Sequence, residues 1–148
     1  MRNWQRICVA CSSALALACG AREEPAGPAV QLSVRDAWAR PADSGATTAV
    51  YFTLGNAGTL SDTLNGVGSA DAELAQMHVS TQHSGMMHMS EVTALPVPAD
   101  DSVQFRPLGA HVMLLRLRKP LAAGDSVTTT LRFVSGQSVT VRAGVRQP

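Results

Sequence analysis

Short apolar runs separated by turn residues fill the chain after Pro28, and they restrict the fold more than any other feature. Runs rich in Val, Thr and Leu alternate with segments containing Gly, Pro, Asn and Asp, and no stretch shows a long helical period. This pattern predicts strands joined by turns. The predicted strands are 30–39, 47–54, 63–67, 73–79, 86–92, 102–105, 111–117, 125–133 and 138–145. Nine short strands in one domain predict an all-β Greek-key sandwich or barrel, whose last two strands form a hairpin.

The N-terminus has the features of a secretory signal. A short basic region with two arginines precedes an apolar stretch that ends at Ala18 and is too short to span a bilayer. Cys19 follows directly, so the boundary fits either lipoprotein cleavage with a lipid on Cys19 or ordinary signal cleavage. We therefore expect a signal peptide over 1–18, a polar lipid-anchor tether over 19–29, and one domain over 30–148.

The cysteine positions and the charge balance exclude several function classes. All three cysteines, Cys8, Cys11 and Cys19, lie at or before the predicted cleavage point, so the domain has no thiol for a disulfide, for thioredoxin-type chemistry or for a blue-copper site. Removing the first 18 of 148 residues takes two of the 12 basic side chains, which leaves ten against 11 acidic ones. Nucleic acid is therefore not an expected partner, and we expect membrane contact only through the N-terminal anchor.

Every histidine, and every methionine except the initiator, lies between Met77 and Met113. One spaced set in this window consists of His78, Met89, His111 and Met113. Imidazole combined with thioether suits a soft monovalent metal, and copper(I) fits best because zinc, iron and manganese prefer thiolate, imidazole or oxygen. Because side chains two apart on a strand share a face, the last two of these residues should project together. Packing alone can explain one methionine on a strand, but not the confinement of both residue types to one window.

A second group of soft ligands lies in the predicted hairpin between the first two members of that set. It consists of His83, Met86 and His88. Strand alternation places Met86 and His88 on the face opposite to Met87 and Met89. Three interpretations remain open. The group is a second, weaker metal site that favours copper(II), since imidazole-rich sites prefer the oxidised ion, or an entry patch that holds incoming copper before the tight site takes it, or a set of solvated residues that bind no metal.

The spacing of the first set resembles the copper-binding signature of the PCuAC family of periplasmic copper chaperones, here His78-x10-Met89-x21-His111-x-Met113. Other segments also resemble that family, and they are 36–41, 49–56, 107–114, 119–121 with 124–125, and the last hairpin. The resemblance runs from about residue 30 to residue 145. Two positions depart from the usual pattern: Leu108 stands where glycine is usual, and Gln76 stands where glutamate is more common.

The resemblance implies a cupredoxin-like fold that binds copper(I) through the four residues of that signature. It implies delivery of copper in the periplasm to an apo cytochrome c oxidase subunit or to another assembly copper chaperone. The alternative is a periplasmic copper-sequestering protein with the same ligands and no dedicated recipient. An enzyme is not expected, because the predicted domain lacks a nucleophilic cysteine, a Gly-x-Ser-x-Gly elbow and a Gly-rich phosphate loop. Two imidazoles should make copper binding weaken below about pH 6.

Overall fold

The computed structural model describes residues 29–148, in which every regular element is a β-strand. The signal peptide predicted over 1–18 and the predicted lipidation site Cys19 lie outside the described residues. Nothing helical within 29–148 is long and apolar enough to cross a membrane. The strands are β1 Leu32–Ala39, β2 Thr48–Asn56, β3 Asp62–Gly68, β4 Ala72–His83, β5 Met86–Val92, β6 Leu95–Val97, β7 Asp101–Phe105, β8 Ala110–Leu117, β9 Ser126–Phe133 and β10 Ser138–Val145.

The all-β prediction is confirmed. Most strand ends lie within two residues of the predicted ones, and there are two larger differences. The strand predicted over 73–79 continues to His83, because its last residues pair with β5 in a long hairpin. An additional short strand, β6, lies between the strands predicted over 86–92 and 102–105, where no strand was predicted. Pro96 sits in β6, which pairs on one side with β3 and forms an edge of the sheet, and an edge strand tolerates proline because one side of its backbone needs no partner.

The strands form one continuous sheet in the order β5-β4-β8-β7-β2-β1-β10-β9-β3-β6. Most neighbours are antiparallel, whereas the β1–β10 and β7–β8 pairs are parallel. Buried side chains from both halves of this order, including Leu64 of β3 and Met77 of β4, belong to a single apolar core. The two halves therefore face each other as the layers of a sandwich.

Strand alternation builds the core. Along β9, alternate side chains are buried, and these are Val127, Thr129, Leu131 and Phe133, whereas Thr128 and Arg132 between them are exposed. In the neighbouring half of the sheet, Phe52 of β2 stacks on Phe105 of β7 with ring centroids 4.2 Å apart. The period-two pattern that predicted strands from the sequence is thus the pattern that fills the interior.

The antiparallel pairing of β4 with β8 fixes the orientation of the window rich in histidine and methionine. Met77 pairs with Val112, and both side chains are buried in the core. The next pair along, His78 with His111, must therefore point to the opposite face of the sheet. Met77, in the core, therefore faces away from His78.

Candidate metal centre

Strands β5, β4 and β8 are consecutive at one edge of the sheet, and they carry all four candidate ligands on one face. We call this side, which bears His78, Met89, His111 and Met113, the outer face. The two imidazoles are directly paired across the strands with ring centroids 5.9 Å apart. Met113 follows two residues after His111, and Met89 pairs with Ser80, which follows two residues after His78. The thioethers therefore flank the imidazole pair.

A cleft of about 350 Å³ opens on the outer face. Its lining includes Tyr51, Met89, Leu108, His111 and Met113. His111 is only 4% exposed and lies deep, whereas Met89 is 56% exposed. An ion or a ligand from another protein can thus reach the thioether of Met89 from solvent without any unfolding of the sheet.

His111 is held by a hydrogen bond that leaves one ring nitrogen free. Its Nδ1 lies 2.9 Å from the carbonyl oxygen of Gly109. Because a carbonyl can only accept, Nδ1 carries the proton and Nε2 keeps its lone pair. The imidazole therefore presents Nε2 as a neutral metal ligand, which is the arrangement that outer hydrogen bonds usually impose on ligating histidines.

The turn before β8 positions that carbonyl. The Gly109 N–H donates to the carbonyl of Arg106 at 3.1 Å, and the Gly109 carbonyl also accepts from the Ser80 N–H at 3.1 Å. Leu108 adopts a φ of 63°, a left-handed conformation that suits glycine better than leucine. Leu108, which replaces the usual glycine, therefore stands at a position whose backbone conformation favours glycine. The turn nevertheless forms with leucine.

Aromatic and cationic side chains flank the His111 side of the cleft. The ring of Tyr51 lies 6.3 Å from the His111 ring and 4.6 Å from that of Trp38. The guanidinium of Arg146 lies 4.6 Å from the Trp38 ring centroid, and that of Arg40 lies 5.7 Å from the Tyr51 centroid. Sequence reasoning did not assign these residues to the site, because they are brought beside it by the pairing of β2 with β1 and β8 and, for Arg146, of β10 with β1.

His78 has a polar neighbourhood of its own. Its Nε2 lies 3.2 Å from the side-chain oxygen of Gln76, and the Gln76 amide nitrogen donates to Glu91 at 2.9 Å. His78 Nδ1 is buried and has no hydrogen-bond partner among residues 29–148. Glu91 was missed in the sequence, although one signal was present: it follows Met89 by two residues on the same strand and so shares its face.

The pKa of His78 gives a pH-dependent stability. Burial lowers this pKa below the usual 6.5, and charge on His111 lowers it further, while Glu91 acts in the opposite direction. Between the lowered pKa and 6.5 the unfolded chain binds more protons than the folded one, so the copper-free fold should lose stability as the pH falls through that window.

We predict that His78→Gln reduces this loss of stability, measured by urea unfolding at about pH 7.5 and about pH 5. Equal losses in the variant and the unaltered protein would contradict this prediction.

The second group of soft ligands lies at the end of the β4–β5 hairpin. His83 and Met86 pair across the turn Ser84–Gly85, and His88 pairs with Thr81. Both turn residues have positive φ, 50° and 80°, as a two-residue hairpin turn requires. His83, Met86 and His88 are exposed and share one face, opposite to the outer face. The expected separation of Met86 and His88 from Met87 and Met89 is confirmed.

Comparison with protein families and individual proteins gives consistent matches. The family model described as "LpqE-like: Putative lipoprotein LpqE-like" matches residues 32–145. A curated relative, "Putative lipoprotein Lxx21020" of Leifsonia xyli subsp. xyli, is 31% identical over 125 residues, which are 84% of this chain and 75% of that protein.

Solved structures with the same fold include copper-bound proteins. The copper-bound PCuAC domain from PmoF2 has a TM-score of 0.65 and 27% identity, covering 79% of this chain and 93% of that domain. The solution structure of CuI-DR1885 from Deinococcus radiodurans has a TM-score of 0.58 and 31% identity, covering 86% of this chain and 83% of that one. These matches confirm the cupredoxin-like β-sandwich and show a PCuAC-type copper chaperone fold.

Proposed function

This chain belongs to the LpqE-like family, and we propose that it is a periplasmic copper(I) metallochaperone for cytochrome c oxidase assembly. The observation that carries the proposal is the register of β4 and β8. This register pairs His78 with His111 and puts the thioethers of Met89 and Met113 on the same face. The fold shared with copper-bound PCuAC domains supports copper as the cargo.

The proposed donor set suits transport of copper(I) in an oxidising compartment. Two imidazole nitrogens and two thioether sulfurs are neutral donors of the soft and intermediate kind that copper(I) accepts. Methionine does not form disulfides, and a thioether has no proton to lose on binding. No cysteine follows Cys19, so thiolate does not contribute to the site. A site of this kind can hold copper(I) and still release it to a recipient that offers stronger donors.

The binding proposal is tested by titration of the protein from Cys19 onward with copper(I) in the presence of a competing chromophoric ligand. We expect one tight equivalent, with both nitrogen and sulfur neighbours in X-ray absorption. Zinc should not compete, since thioethers are poor ligands for a borderline divalent ion. Stoichiometric zinc binding that copper(I) could not displace would contradict the assignment.

Delivery is tested separately from binding. The copper(I)-loaded protein is mixed with the apo copper domain of a cytochrome c oxidase subunit, and the two proteins are separated and assayed for metal. We expect copper to move to the oxidase domain faster than from a small-molecule copper(I) complex of matched affinity. Transfer no faster than from that complex would instead support the alternative, a copper-buffering protein without a dedicated recipient.

We propose that the domain is held at the membrane through a lipid on Cys19. The sequence around Cys19 supports this, and so do the lipoprotein descriptions of the matching family and relative. Cys19→Ala should move the protein from the membrane fraction to the soluble fraction, with loss of the lipid mass. A membrane-bound Cys19→Ala protein would contradict the proposal.

We also propose that the hairpin group formed by His83, Met86 and His88 is a second, weaker site for copper(II). The three side chains share one face of the hairpin, and this supports the proposal. Because that face is opposite to the outer face, the two sites do not compete for ligands. The imidazoles of neighbouring cross-strand pairs on one face are within reach of a common ion.

For this second site we predict that the triple substitution His83→Ala, Met86→Ala and His88→Ala removes a weak copper(II) equivalent and keeps the tight copper(I) equivalent. Equilibrium dialysis with each oxidation state measures both. Thr81→Ala, on the same face of the hairpin, is the matched control and should leave both equivalents in place. If the unaltered protein takes up no copper(II) beyond the first equivalent, the second site does not exist.

A further inference from the structure

Gln76 and Glu91 determine which ring nitrogen of His78 carries the proton. Neither residue belongs to the four-residue copper signature. Glu91 pairs directly with His78 across β4 and β5, and Gln76 precedes His78 by two residues on the same face. The Gln76 amide lies between them, 2.9 Å from the Glu91 carboxylate and 3.2 Å from His78 Nε2. All three therefore form one chain of hydrogen bonds that ends on an imidazole proposed to bind copper.

The carboxylate sets the direction of this chain. An ionised carboxylate only accepts, so the Gln76 amide must direct its NH₂ group to Glu91 and its oxygen to His78. The reverse orientation of the amide would place two acceptors against each other. The Gln76 oxygen can in turn only accept, so His78 Nε2 must carry the proton. The lone pair of this imidazole is then on Nδ1, the atom that is buried without a hydrogen-bond partner among the described residues.

From this geometry we infer that Gln76, oriented by Glu91, is a positioning residue that makes His78 bind copper(I) through Nδ1. His111 presents the opposite nitrogen, because its Nδ1 donates to the Gly109 carbonyl and leaves Nε2 free. The two facing imidazoles, 5.9 Å apart, thus offer unlike nitrogens to one ion. This inference rests on the proposed copper function and specifies which atoms perform it.

Gln76→Leu removes the acceptor and keeps a side chain of similar size. We expect it to weaken copper(I) binding about tenfold, as loss of an outer hydrogen bond to a ligating histidine typically does. The double variant Gln76→Glu, Glu91→Gln keeps an oxygen that accepts from Nε2–H and restores a donor opposite it at position 91, so it should retain near-normal affinity and ligation through Nδ1. Gln82→Leu makes the same change on the same strand and face, further along the hairpin, and should leave affinity unchanged.

The decisive measurement is long-range ¹H–¹⁵N NMR of the uniformly labelled protein, which identifies the protonated and the metal-bound nitrogen of each histidine. In the copper-free protein we expect His78 to be protonated on Nε2 and His111 on Nδ1, and this readout requires no metal. On addition of copper(I), the Nδ1 resonance of His78 and the Nε2 resonance of His111 should shift. The Gln76→Leu variant should lose the slowly exchanging Nε2–H of His78.

Different results would contradict the positioning role of Gln76 and the proposed copper function. Copper(I) bound through Nε2 of His78, or unchanged affinity and ligation in Gln76→Leu, would overturn the positioning role and leave the proposed function intact. No copper(I) uptake at all, with the Nε2–H form of His78 observed in the copper-free protein, would instead overturn the proposed function and the ligation through Nδ1 with it.

Discussion

Replacing Met113 by alanine is expected to lower the copper(I) affinity of this protein by at least tenfold and to leave the fold intact. Loss of a direct ligand should cost at least as much as loss of an outer hydrogen bond, which is about 10- to 100-fold. Met113 lies on the outer face and is only partly buried, so its removal opens no cavity in the core. Competition titration with a chromophoric copper(I) ligand measures the effect, and thermal unfolding of the copper-free variant checks the fold.

Met86→Ala is the matched control for that substitution. Met86 is also a strand methionine in the same window, but it is 61% exposed and lies on the opposite face. Its removal should leave copper(I) affinity unchanged.

His111→Ala should weaken copper(I) binding as strongly as Met113→Ala. It should also lower the stability of the fold, because His111 is buried and bonded to Gly109. Wild-type affinity in Met113→Ala would show that this thioether only packs against its neighbours.

Replacing Asn56 by alanine is expected to destabilise the fold strongly. Asn56 is 1% exposed, and its side-chain oxygen accepts from the backbone N–H groups of Gln31 and Gly58 at 3.1 and 3.0 Å. Its amide nitrogen donates to the Leu60 carbonyl at 2.8 Å. Three backbone groups lose their partners in the variant, and one of them, the Gly58 N–H, is buried. We expect the free energy of unfolding to fall by about 2 kcal/mol, since an unsatisfied buried group costs about 1–3 kcal/mol.

Urea unfolding at 25 °C measures this loss. Asn65→Ala on β3 is the control, because Asn65 is exposed and should change the free energy of unfolding by no more than about 0.5 kcal/mol. A loss of less than about 1 kcal/mol in Asn56→Ala would mean that water replaces the amide, so that the segment 29–31 and the loop 57–60 do not depend on it.

Strand alternation made much of the site's arrangement predictable. Because side chains two apart share a face, His111 and Met113 had to project together, and Met87 had to separate from His88. Turn chemistry was equally informative at Ser84–Gly85, where glycine supports the positive φ of a tight hairpin. These are local rules, so a single sequence suffices to apply them.

Contacts between distant segments could not be predicted in the same way. The register that sets Gln76 between His78 and Glu91 depends on how β4 pairs with β5, and alternation restricts that register without fixing it. Tyr51 reaches the site only because β2 pairs with β8, about sixty residues later in the chain. The short strand β6 escaped prediction because Pro96 usually marks a turn and is tolerated here only at the sheet edge.

The unequal anchoring of the four proposed ligands has a consequence for the rate of copper exchange. His78, His111 and Met113 project from β4 and β8, which are paired on both sides, whereas Met89 lies on β5, the terminal strand, and is more than half exposed. With copper(I) bound by these four side chains, a donor from a recipient would displace the Met89 thioether first, and three donors would still hold the ion while the new bond forms. Exchange by such single substitutions requires no free copper ion, so a long-lived complex in isolation becomes a short-lived one when a recipient docks.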